Sequence, residues 1–539
     1  MSFFKSKNKQ AIKTKWEDLQ KNANKKNSQN SQTQAKTDAI EVSLNENINK
    51  IKEMVGNSDD IITREIRIGK EGKVRCCLLY IDGLIDSQAH QNFILESLMI
   101  DLRTTDIQAE QDSTGLPLLS YLKEMVLTVG DIQDVMDISV LIDSLLSAKV
   151  ILLFDGYQQG FAIEMQGGKE RSVEEPATET VVRGPREGFT ENLRVNTSLL
   201  RKRIKDHNLW FETRKIGKVT KTCVTIVHIK GIANDKVVEE VRKRLDRISI
   251  DSILESGYIE ELIQDKTWTL FPTMFHSERP DSIAADLLEG RVAILVDGTP
   301  FVMTVPVVFP QFLQSPEDYY NRADIATLLR FLRYIGLFIA LLAPSLYIAI
   351  TTFHQEMLPT QLLISLAAQR EGVPFPAFIE ALAMELTFEI LREAGLRMPR
   401  AISQAVSIVG TLVIGTAAVE AGFASAAMVI VVAITAISSF TVNNYELAIA
   451  IRILRFPFMA LAASFGLFGI IVGLIAMVLH MCSLRSFGVP YMAPFGPFIK
   501  DDQKDAIFRF PRWAMFSRPR LISQLNMKRE DSPAPKPES

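Results

Sequence analysis

Four glutamates recur at short intervals in the stretch PAFIEALAMELTFEILREAG, and their carboxylates are the first candidates for chemistry in this chain. Glu385, Glu389 and Glu393 follow one another at four-residue spacing, and Glu380 lies slightly upstream. On a helix this spacing places the three carboxylates on one face. Carboxylates that face water or a pore attract cations, so this face is a candidate acidic vestibule. The alternative is the solvated outer face of a surface helix.

A second polar pattern follows the acidic stretch. Ser403, Ser407, Thr411 and Gly415 are spaced by four residues, so one side of a helix would be small and hydroxyl-bearing while the other carries Ile, Leu and Val. Small faces let helices pack closely in a membrane. The alternative is that these four residues line a narrow aqueous pore between copies of the chain. Both interpretations bury this face against protein.

The chain lacks the spacing patterns of catalytic and metal sites. It contains no Gly-rich phosphate loop, no nucleophile elbow and no paired His and Glu motif. Its four cysteines, Cys76, Cys77, Cys223 and Cys482, do not have metal-ligand spacing, and the adjacent pair is expected to point to opposite faces of one strand. We therefore expect neither an enzyme nor a bound cofactor or metal.

Long uncharged segments surround the two polar patterns. A helix needs about twenty apolar residues to cross the hydrocarbon core of a bilayer. Four segments meet this requirement and predict spans near residues 334–353, 401–419, 421–442 and 456–481. Residues 361–396 predict two amphipathic helices, and whether these enter the bilayer stays open. An external loop with an interfacial helix is expected over residues 442–455.

Basic residues flank the apolar segments at both ends. Three arginines precede the first predicted span: Arg322, Arg330 and Arg333. Lysines and arginines are also frequent in the residues that follow the last predicted span. Positive charge is retained on the cytoplasmic side of a membrane. Both ends of the chain are therefore predicted to be cytoplasmic, which requires an even number of crossings.

Residues 1–57 are rich in Lys, Asn, Gln and Ser and begin without the apolar core of a secretory signal. This composition buries little apolar surface, so a disordered, basic cytoplasmic tail is predicted. The tail would either lie against anionic lipid or remain solvated without a specific partner. The formal net charge of −3 for the whole chain gives no sign of nucleic-acid binding, and no nucleic-acid partner is expected.

The stretch between this tail and the apolar segments is built twice. KVRCCLLYIDGLID, from Lys73, and KTCVTIVHIKGIAN, from Lys221, each read as an apolar strand and a Gly-containing turn before a helix. Further on, LLFDG and ILVDG each end in an Asp-Gly hairpin signal, at Asp155 and Asp297. Two landmarks in the same order indicate an internal duplication.

Together these patterns predict a duplicated cytoplasmic α/β domain followed by an all-α polytopic membrane domain. The predicted parts are a tail at 1–57, α/β subdomains at 58–166 and 195–320 with a linker at 167–194, a membrane domain at 321–483 and a cytoplasmic C-terminal tail at 484–539.

With these blocks in this order, the chain resembles the A subunits of the GerA-type spore germinant receptors of endospore-forming bacteria. The resemblance covers about residues 73–520 and is strongest in GRVAILVDGTPF, SPEDYYNR, RFLRYIGLFIALLAPSLYIAITTFHQEMLPTQLL, REGVPFPAFIEALAMELTFEILREAGLRMP, SIVGTLVIGTAAVEAG and SFGVPYMAPFGPF. It implies a subunit of the inner spore membrane that assembles with a transporter-like B subunit and a lipoprotein C subunit. It also implies that A subunits form homo-oligomers around an ion-conducting path whose opening begins germination.

The resemblance leaves several functions to compare. The first hypothesis is a nutrient-gated channel subunit, with the hydroxyl stripe and the acidic face near the ion path. The alternative is a non-conducting scaffold subunit, or an accessory channel from a related family of sporulation paralogues. A secondary transporter is less favoured because the spans show no inverted repeat. An enzyme is least favoured because no catalytic constellation is present.

Overall fold

The structure of the chain is a computed structural model that describes residues 39–68, 74–85, 119, 122–123, 131–165, 167, 175–176, 178–397, 413–524, 526–530 and 532. These residues belong to two compact units. The first contains the described residues up to 172 together with 192–213, and the second contains those of 173–191 and 214–539.

The first unit is built around an antiparallel sheet of five strands. The strands are β1 (Ile61–Ile68), β2 (Val74–Ile81), β3 (Ile132–Val135), β4 (Lys149–Phe154) and β5 (Gly160–Glu164), in the order β1-β2-β4-β5-β3. Side chains alternate along β2, so Cys76 packs into the hydrophobic core on one face and Cys77 into the core on the other. Burial raises the pKa of both thiols to about 12, which keeps them protonated and unreactive.

The second sheet repeats the first one strand for strand. Its strands are β6 (Leu209–Ile216), β7 (Thr222–Ile229), β8 (Phe275–Ser277), β9 (Val292–Val296) and β10 (Val302–Val305), in the order β6-β7-β9-β10-β8. The α-helices of the two halves are α1 (Leu44–Met54), α2 (Ile138–Leu146), α3 (Leu193–Arg203), α4 (Asp235–Asp246), α5 (Ser256–Ile263) and α6 (Pro280–Leu288). The two sheets have the same strand order, which is the result expected from the predicted internal duplication.

The two Asp-Gly turns close equivalent hairpins. Antiparallel strands β4 and β5 flank Gly156, and antiparallel strands β9 and β10 flank Gly298. The two glycines have φ of +92° and +93°, a region that favours glycine. Their amides donate equivalent hydrogen bonds, to the Val42 carbonyl at 2.9 Å and to the Glu191 carbonyl at 2.8 Å. Val42 and Glu191 each lie two residues before the start of a helix in the sequence, α1 and α3 respectively.

Helix α1 lies within the stretch predicted to be a disordered tail, so that prediction was wrong for its last residues. Leu44, Ile48 and Ile51 recur at helical spacing and are buried in the core behind β2. The Leu44 amide donates to Asp155 Oδ1 at 3.1 Å, which anchors the start of the helix. Residues 1–38 lie outside the described part of the chain.

The C-terminal half of the second unit is helical. Its α-helices are α7 (Glu317–Tyr320), α8 (Ala323–Thr352), α9 (Thr360–Arg370), α10 (Ala377–Arg397), α11 (Ala418–Glu420), α12 (Ala426–Ser439) and α13 (Tyr445–Ser483). Among the described residues, α8 and α13 are long and apolar enough to cross a membrane, and α12 is a shorter apolar helix. Apolar side chains of α8, α10, α12 and α13 share one core. The N-terminal α/β part and the C-terminal helical part follow one another in the order that the sequence predicted.

Helix α13 is folded back on itself at Gly466. This glycine has φ +61° and ψ −142°, which is not helical. A Cβ on Gly473 would lie 2.9 Å from both Leu461 and Phe458, although a straight helix would hold Gly473 and Phe458 roughly 22 Å apart. The helix therefore consists of two antiparallel arms, residues 445–465 and 467–483.

Gly466→Ala is expected to destabilise this hairpin by about 1–3 kcal/mol, because only glycine adopts this backbone conformation without strain. The added Cβ would also lie 2.7 Å from the His354 ring. Gly395→Ala is the matched control, since its Cβ would meet nothing within 4 Å and alanine favours the helix. Thermal unfolding of the purified protein in detergent measures both changes. Equal midpoints for the two variants would contradict the strained turn.

The helix bounds coincide with some predicted segments and differ from others. The predicted span at 334–353 lies almost entirely within α8, and the paired helices predicted within 361–396 correspond to α9 and α10. The single span predicted at 456–481 was wrong, because the turn at Gly466 divides it. The helix expected within the predicted loop at 442–455 does begin at Tyr445, but it continues past Arg455 as the first arm of α13 instead of ending as a separate interfacial helix. Most of the predicted span at 401–419 lies outside the described residues.

The residues that follow α13 pack back onto the α/β part rather than forming a separate tail. Strands β11 (Arg485–Ser486) and β12 (Val489–Pro490) form a small hairpin. The Ser486 hydroxyl accepts from the Val307 amide at 3.0 Å, and the Phe309 amide donates to the Tyr491 carbonyl at 2.8 Å. The predicted boundaries near residues 320 and 483 therefore do not separate compact bodies, because residues 214–539 belong to one unit.

Candidate functional site in the helical part

Helix α10 carries the four glutamates that the sequence pattern singled out. Glu380 and Glu385 are almost completely buried, at 1% and 0% exposure. Glu389 is partly buried, and the Glu393 side chain is exposed. The helix thus turns most of its acidic face toward neighbouring helices, and each buried carboxylate meets a different partner.

Glu380 of α10 binds the N-terminus of α12. Its Oε1 accepts hydrogen bonds from the Ser425 amide at 2.7 Å and from the Ser425 hydroxyl at 2.6 Å. Ser425 is the N-cap of α12, and its hydroxyl also accepts from the Met428 amide. A carboxylate at a helix N-terminus is stabilised by unpaired backbone amides and by the helix dipole. Arg370 of α9 contributes a longer contact, with Nε 3.8 Å from Glu380 Oε2.

Glu385 forms a buried ion pair with Arg455 of the first arm of α13. The Arg455 side chain is only 1% exposed, and its Nε donates to the Ala340 carbonyl of α8 at 2.8 Å. One guanidinium therefore joins three helices. Bringing two charges out of water costs several kcal/mol per ion, so each charge depends on its partner.

Glu389 continues this interface one turn further along α10. Its carboxylate accepts from Arg452 Nη1 at 2.7 Å, and both side chains are partly buried. Glu393 instead pairs with Arg397 of its own helix, where both side chains are more than half exposed. The charged interface between α10 and α13 therefore ends before Glu393.

The acidic face of α10 is neutralised by arginines within the same chain. Arg455 and Arg452 are three residues apart on α13, and they meet Glu385 and Glu389, four residues apart on α10. Matched spacing of this kind fixes the register of two packed helices. The arrangement holds helices together, and an acidic vestibule built from these carboxylates stays a prediction.

A second cluster of buried charges lies at the start of α8. Arg330, at 0% exposure, donates to Asp318 Oδ2 at 3.1 Å and to Asp505 Oδ1 at 2.9 Å. Arg333 Nη1 donates to the same Asp318 oxygen at 2.8 Å. Burial raises the pKa of Asp505, and the charge of Arg330 opposes that rise. Arg322, in contrast, is exposed and pairs with Asp324 at the surface.

The residues of both clusters fall inside one region of family similarity. Residues 49–521 match the Bacillus/Clostridium GerA spore germination protein family. The chain belongs to the GerA family. The matched region begins within α1 and ends in the segment after α13. It therefore includes both sheets and the helices α7 to α13 of the helical part.

Individual relatives of this GerA-family chain agree with that assignment. Spore germination protein KA of Bacillus subtilis (strain 168) is 50% identical over 491 residues, which cover 91% of this chain and 89% of the relative. Spore germination protein B1 of the same strain is 39% identical over 480 residues, 89% of this chain and 97% of the relative. Uncharacterized membrane protein YfkQ, also from that strain, is 46% identical over 498 residues, 91% of this chain and 94% of the relative.

One solved structure is similar to the front of this GerA-family chain. It is the N-terminal domain of the A subunit of the Bacillus megaterium spore germinant receptor GerK3. The two sequences are 42% identical, and the match covers 50% of this chain and 97% of the solved chain, with a TM-score of 0.40.

The hydroxyl stripe of this GerA-family chain falls mostly outside the described residues. Ser403, Ser407 and Thr411 are not described. Gly415 is described and exposed, and a Cβ there would meet nothing within 4 Å. No described residue of the same chain therefore covers the position of Gly415. Its role in lining a pore stays a prediction.

Sequence reasoning missed the arginine partners of the acidic helix. Arg452 and Arg455 lie in the segment that was predicted to be an interfacial loop helix, so they were not expected to meet α10. The signal that could have found them is the complementary spacing of two arginines and two glutamates in neighbouring apolar segments. Likewise, Arg330 and Arg333 were interpreted only as markers of membrane orientation, although Asp318 precedes them in the same polar stretch.

Proposed function

We propose that this chain is the A subunit of a nutrient germinant receptor in the inner membrane of the spore. The observation that carries the proposal is the 50% identity to Spore germination protein KA over 91% of this chain. In this role it assembles with a transporter-like B subunit and a lipoprotein C subunit, and its own copies form an oligomer. The helical part lies in the lipid bilayer, and the α/β part faces the cytoplasm.

The contacts at the two ends of the long helices support this membrane placement. We define the near end of the bundle as the one that contacts the second sheet region, where the Thr269 hydroxyl lies 3.0 Å from His480 Nε2 of α13. The far end is the turn at Gly466, where an added Cβ would lie 3.1 Å from Phe353 at the end of α8. Helix α8 and both arms of α13 therefore extend from one end of the bundle to the other.

Helices α10 and α12 run between the same two ends. Glu380 of α10 accepts a hydrogen bond from Ser425 at the start of α12. The Ser425 hydroxyl lies 3.5 Å from the Tyr347 hydroxyl, in the part of α8 that is nearer to the far end. At the other end of these helices, the Arg392 guanidinium stands over the Phe440 ring at 5.6 Å. Both helices therefore run from the far end back toward the near end.

This arrangement supports six crossings rather than the four predicted from the sequence. In this proposal the long apolar helices α8 and α13 cross the bilayer, α13 with both of its arms, and α10 and α12 cross beside them. Because α10 ends toward the near end and α12 begins toward the far end, we assign a return crossing to the predicted span at 401–419. An even number leaves both ends of the chain on the cytoplasmic side, as the basic flanks predict.

In this proposal the stripe of Ser403, Ser407, Thr411 and Gly415 crosses the bilayer on that segment and turns its small face toward other copies of the chain. Hydroxyl groups replace the hydration of a passing ion more readily than apolar side chains do. We propose that this face lines or gates an ion path in the oligomer, with Glu393, the exposed carboxylate of the acidic face, near its entrance.

Thr411→Trp is expected to lower ion efflux several-fold in liposomes that contain the purified oligomer, because the indole would fill a path lined by small side chains. Val409→Trp is the matched control, because it lies on the opposite face of the same segment. Native gel mobility verifies that both variants assemble like the wild type. Equal efflux from the two variants would contradict the pore-lining role.

The second candidate function is a non-conducting scaffold or an accessory channel paralogue. It is favoured by the 46% identity to a protein named only as a membrane protein, because similarity of this degree does not separate the members of the family by role. Liposomes with the oligomer and no detectable ion flux would favour the scaffold. Germination that responds to nutrients only when this chain is present would favour the receptor.

A further inference from the structure

One group of side chains outside the proposed ion path has the composition and spacing of a metal site. It consists of His276 of β8, Glu260 of α5 and Glu446 in the first turn of α13. His276 Nε2 lies 3.3 Å from Glu260 Oε2, and His276 Nδ1 lies 3.1 Å from Glu446 Oε1. One ligand atom from each residue can be chosen so that all three lie within 4.8 Å of one another.

We propose that these three residues bind a divalent cation of the Zn²⁺ class at the junction of the second sheet and the membrane helices. Two ligands that are each about 2.1 Å from a tetrahedral Zn²⁺ are roughly 3.4 Å apart. A single cation can bind only one of the two ring nitrogens of His276. Each measured N···O separation is close to this value, so the cation would join His276 to one carboxylate, and the other carboxylate would have to turn toward the same nitrogen. One atom from each of the three residues already lies within 4.8 Å of the other two, which limits the movement that is needed. One imidazole and two carboxylates form a ligand set that Zn²⁺ and Mn²⁺ accept.

The surroundings of the three residues favour a cation over any other occupant. They open onto a cavity of about 270 Å³ that is also lined by Glu179 and Glu255. Its described lining residues include no Lys or Arg, so His276 is the basic side chain that faces these carboxylates, and a bound cation would take over that role. The second oxygen of Glu446 is buried and has no hydrogen-bond partner among the described residues.

Each ligand comes from a different element, which explains why no metal-binding motif is visible in the sequence. Glu260 and His276 belong to the α/β part, whereas Glu446 begins the first arm of α13. The cation would therefore clamp the start of a proposed membrane helix to strand β8. Water from the cavity would supply the remaining ligands, as in sites that keep an exchangeable ligand.

The test is equilibrium binding of Zn²⁺ to the purified full-length protein, with Co²⁺ as a spectroscopic probe of the same site. The wild type is expected to retain one Zn²⁺ per chain after dialysis and to show a Co²⁺ visible absorption band. Glu446→Gln and Glu260→Gln preserve side-chain size and are each expected to weaken binding by at least about 10- to 100-fold. His276→Ala is expected to abolish the Co²⁺ band.

Glu255→Gln is the matched control, because Glu255 lines the same cavity but is occupied by hydrogen bonds from Ser256 and Thr299. It is expected to bind Zn²⁺ like the wild type. Absence of bound Zn²⁺ in the folded wild type would overturn the proposal and leave His276 as the centre of a hydrogen-bonded triad. Equal affinity of Glu446→Gln and the wild type would overturn it as well.

Discussion

Replacing Arg455 with methionine is expected to lower the free energy of unfolding by about 3–5 kcal/mol, which is the usual result of removing one partner of a buried ion pair. Glu385 has 0% side-chain exposure and would be left as an uncompensated charge between α10, α8 and α13. The Ala340 carbonyl would also lose its hydrogen bond from Arg455. Unfolding of the purified protein by sodium dodecyl sulfate in mixed micelles measures this loss.

Two companion variants separate the ion pair from general packing. Arg397→Met removes an exposed partner of Glu393 on the same helix, and an exposed i,i+4 pair contributes only about 0.3–0.5 kcal/mol. The double variant Arg455→Met with Glu385→Met replaces both charges by apolar side chains and is expected to recover most of the lost stability. A loss in Arg455→Met no larger than that in Arg397→Met would show that the pair does not hold these helices together.

Arg330→Met is expected to cause the second large loss, again about 3–5 kcal/mol, because Asp505 would lose its buried cation and the buried Asp318 would keep only Arg333 as a partner. Asp505 belongs to the segment behind α13, so the variant should also loosen that segment from the start of α8. Faster tryptic cleavage after Lys504 and Arg512 would report this loosening directly. The measurement combines the unfolding midpoint with the rate of proteolysis.

Arg322→Met is the control for this second prediction. Arg322 precedes the same helix and pairs with Asp324, but its side chain is 80% exposed. Its removal is expected to change stability by less than about 1 kcal/mol and to leave the cleavage rate unchanged. Similar proteolysis of the two variants would mean that Arg330 does not fasten the C-terminal segment.

The repeated α/β architecture could be predicted because its signals are local. The strand at Val74–Ile81, the strand at Thr222–Ile229 and the two Asp-Gly turns each have a short sequence signature, and their common order revealed the duplication. Helix α1 was missed because polar and charged side chains dominate its segment. Its three buried positions gain their stability only from contact with β2 and the core behind it.

The helical part could be predicted only in outline, because its decisive features are not visible in apolar composition. Glycine is common in membrane helices, so the turn at Gly466 looked like part of one continuous span. The pairing of Glu385 with Arg455 joins residues far apart in sequence, and it depends on how three helices pack. Only the four-residue spacing of the glutamates gave a sign that they share a face.

Labelling of single cysteines in sealed membrane vesicles with a membrane-impermeant maleimide tests the central claim most directly. The claim is that the helical part crosses the membrane, with the Gly466 turn on the side opposite to the α/β part. One variant has Glu356→Cys as its single cysteine, in the exposed segment after α8 near that turn, and the other retains only the native Cys482, which is exposed at the other end of α13. The proposed topology predicts that the two cysteines are labelled from opposite sides of the membrane. Labelling of both from the same side would contradict it.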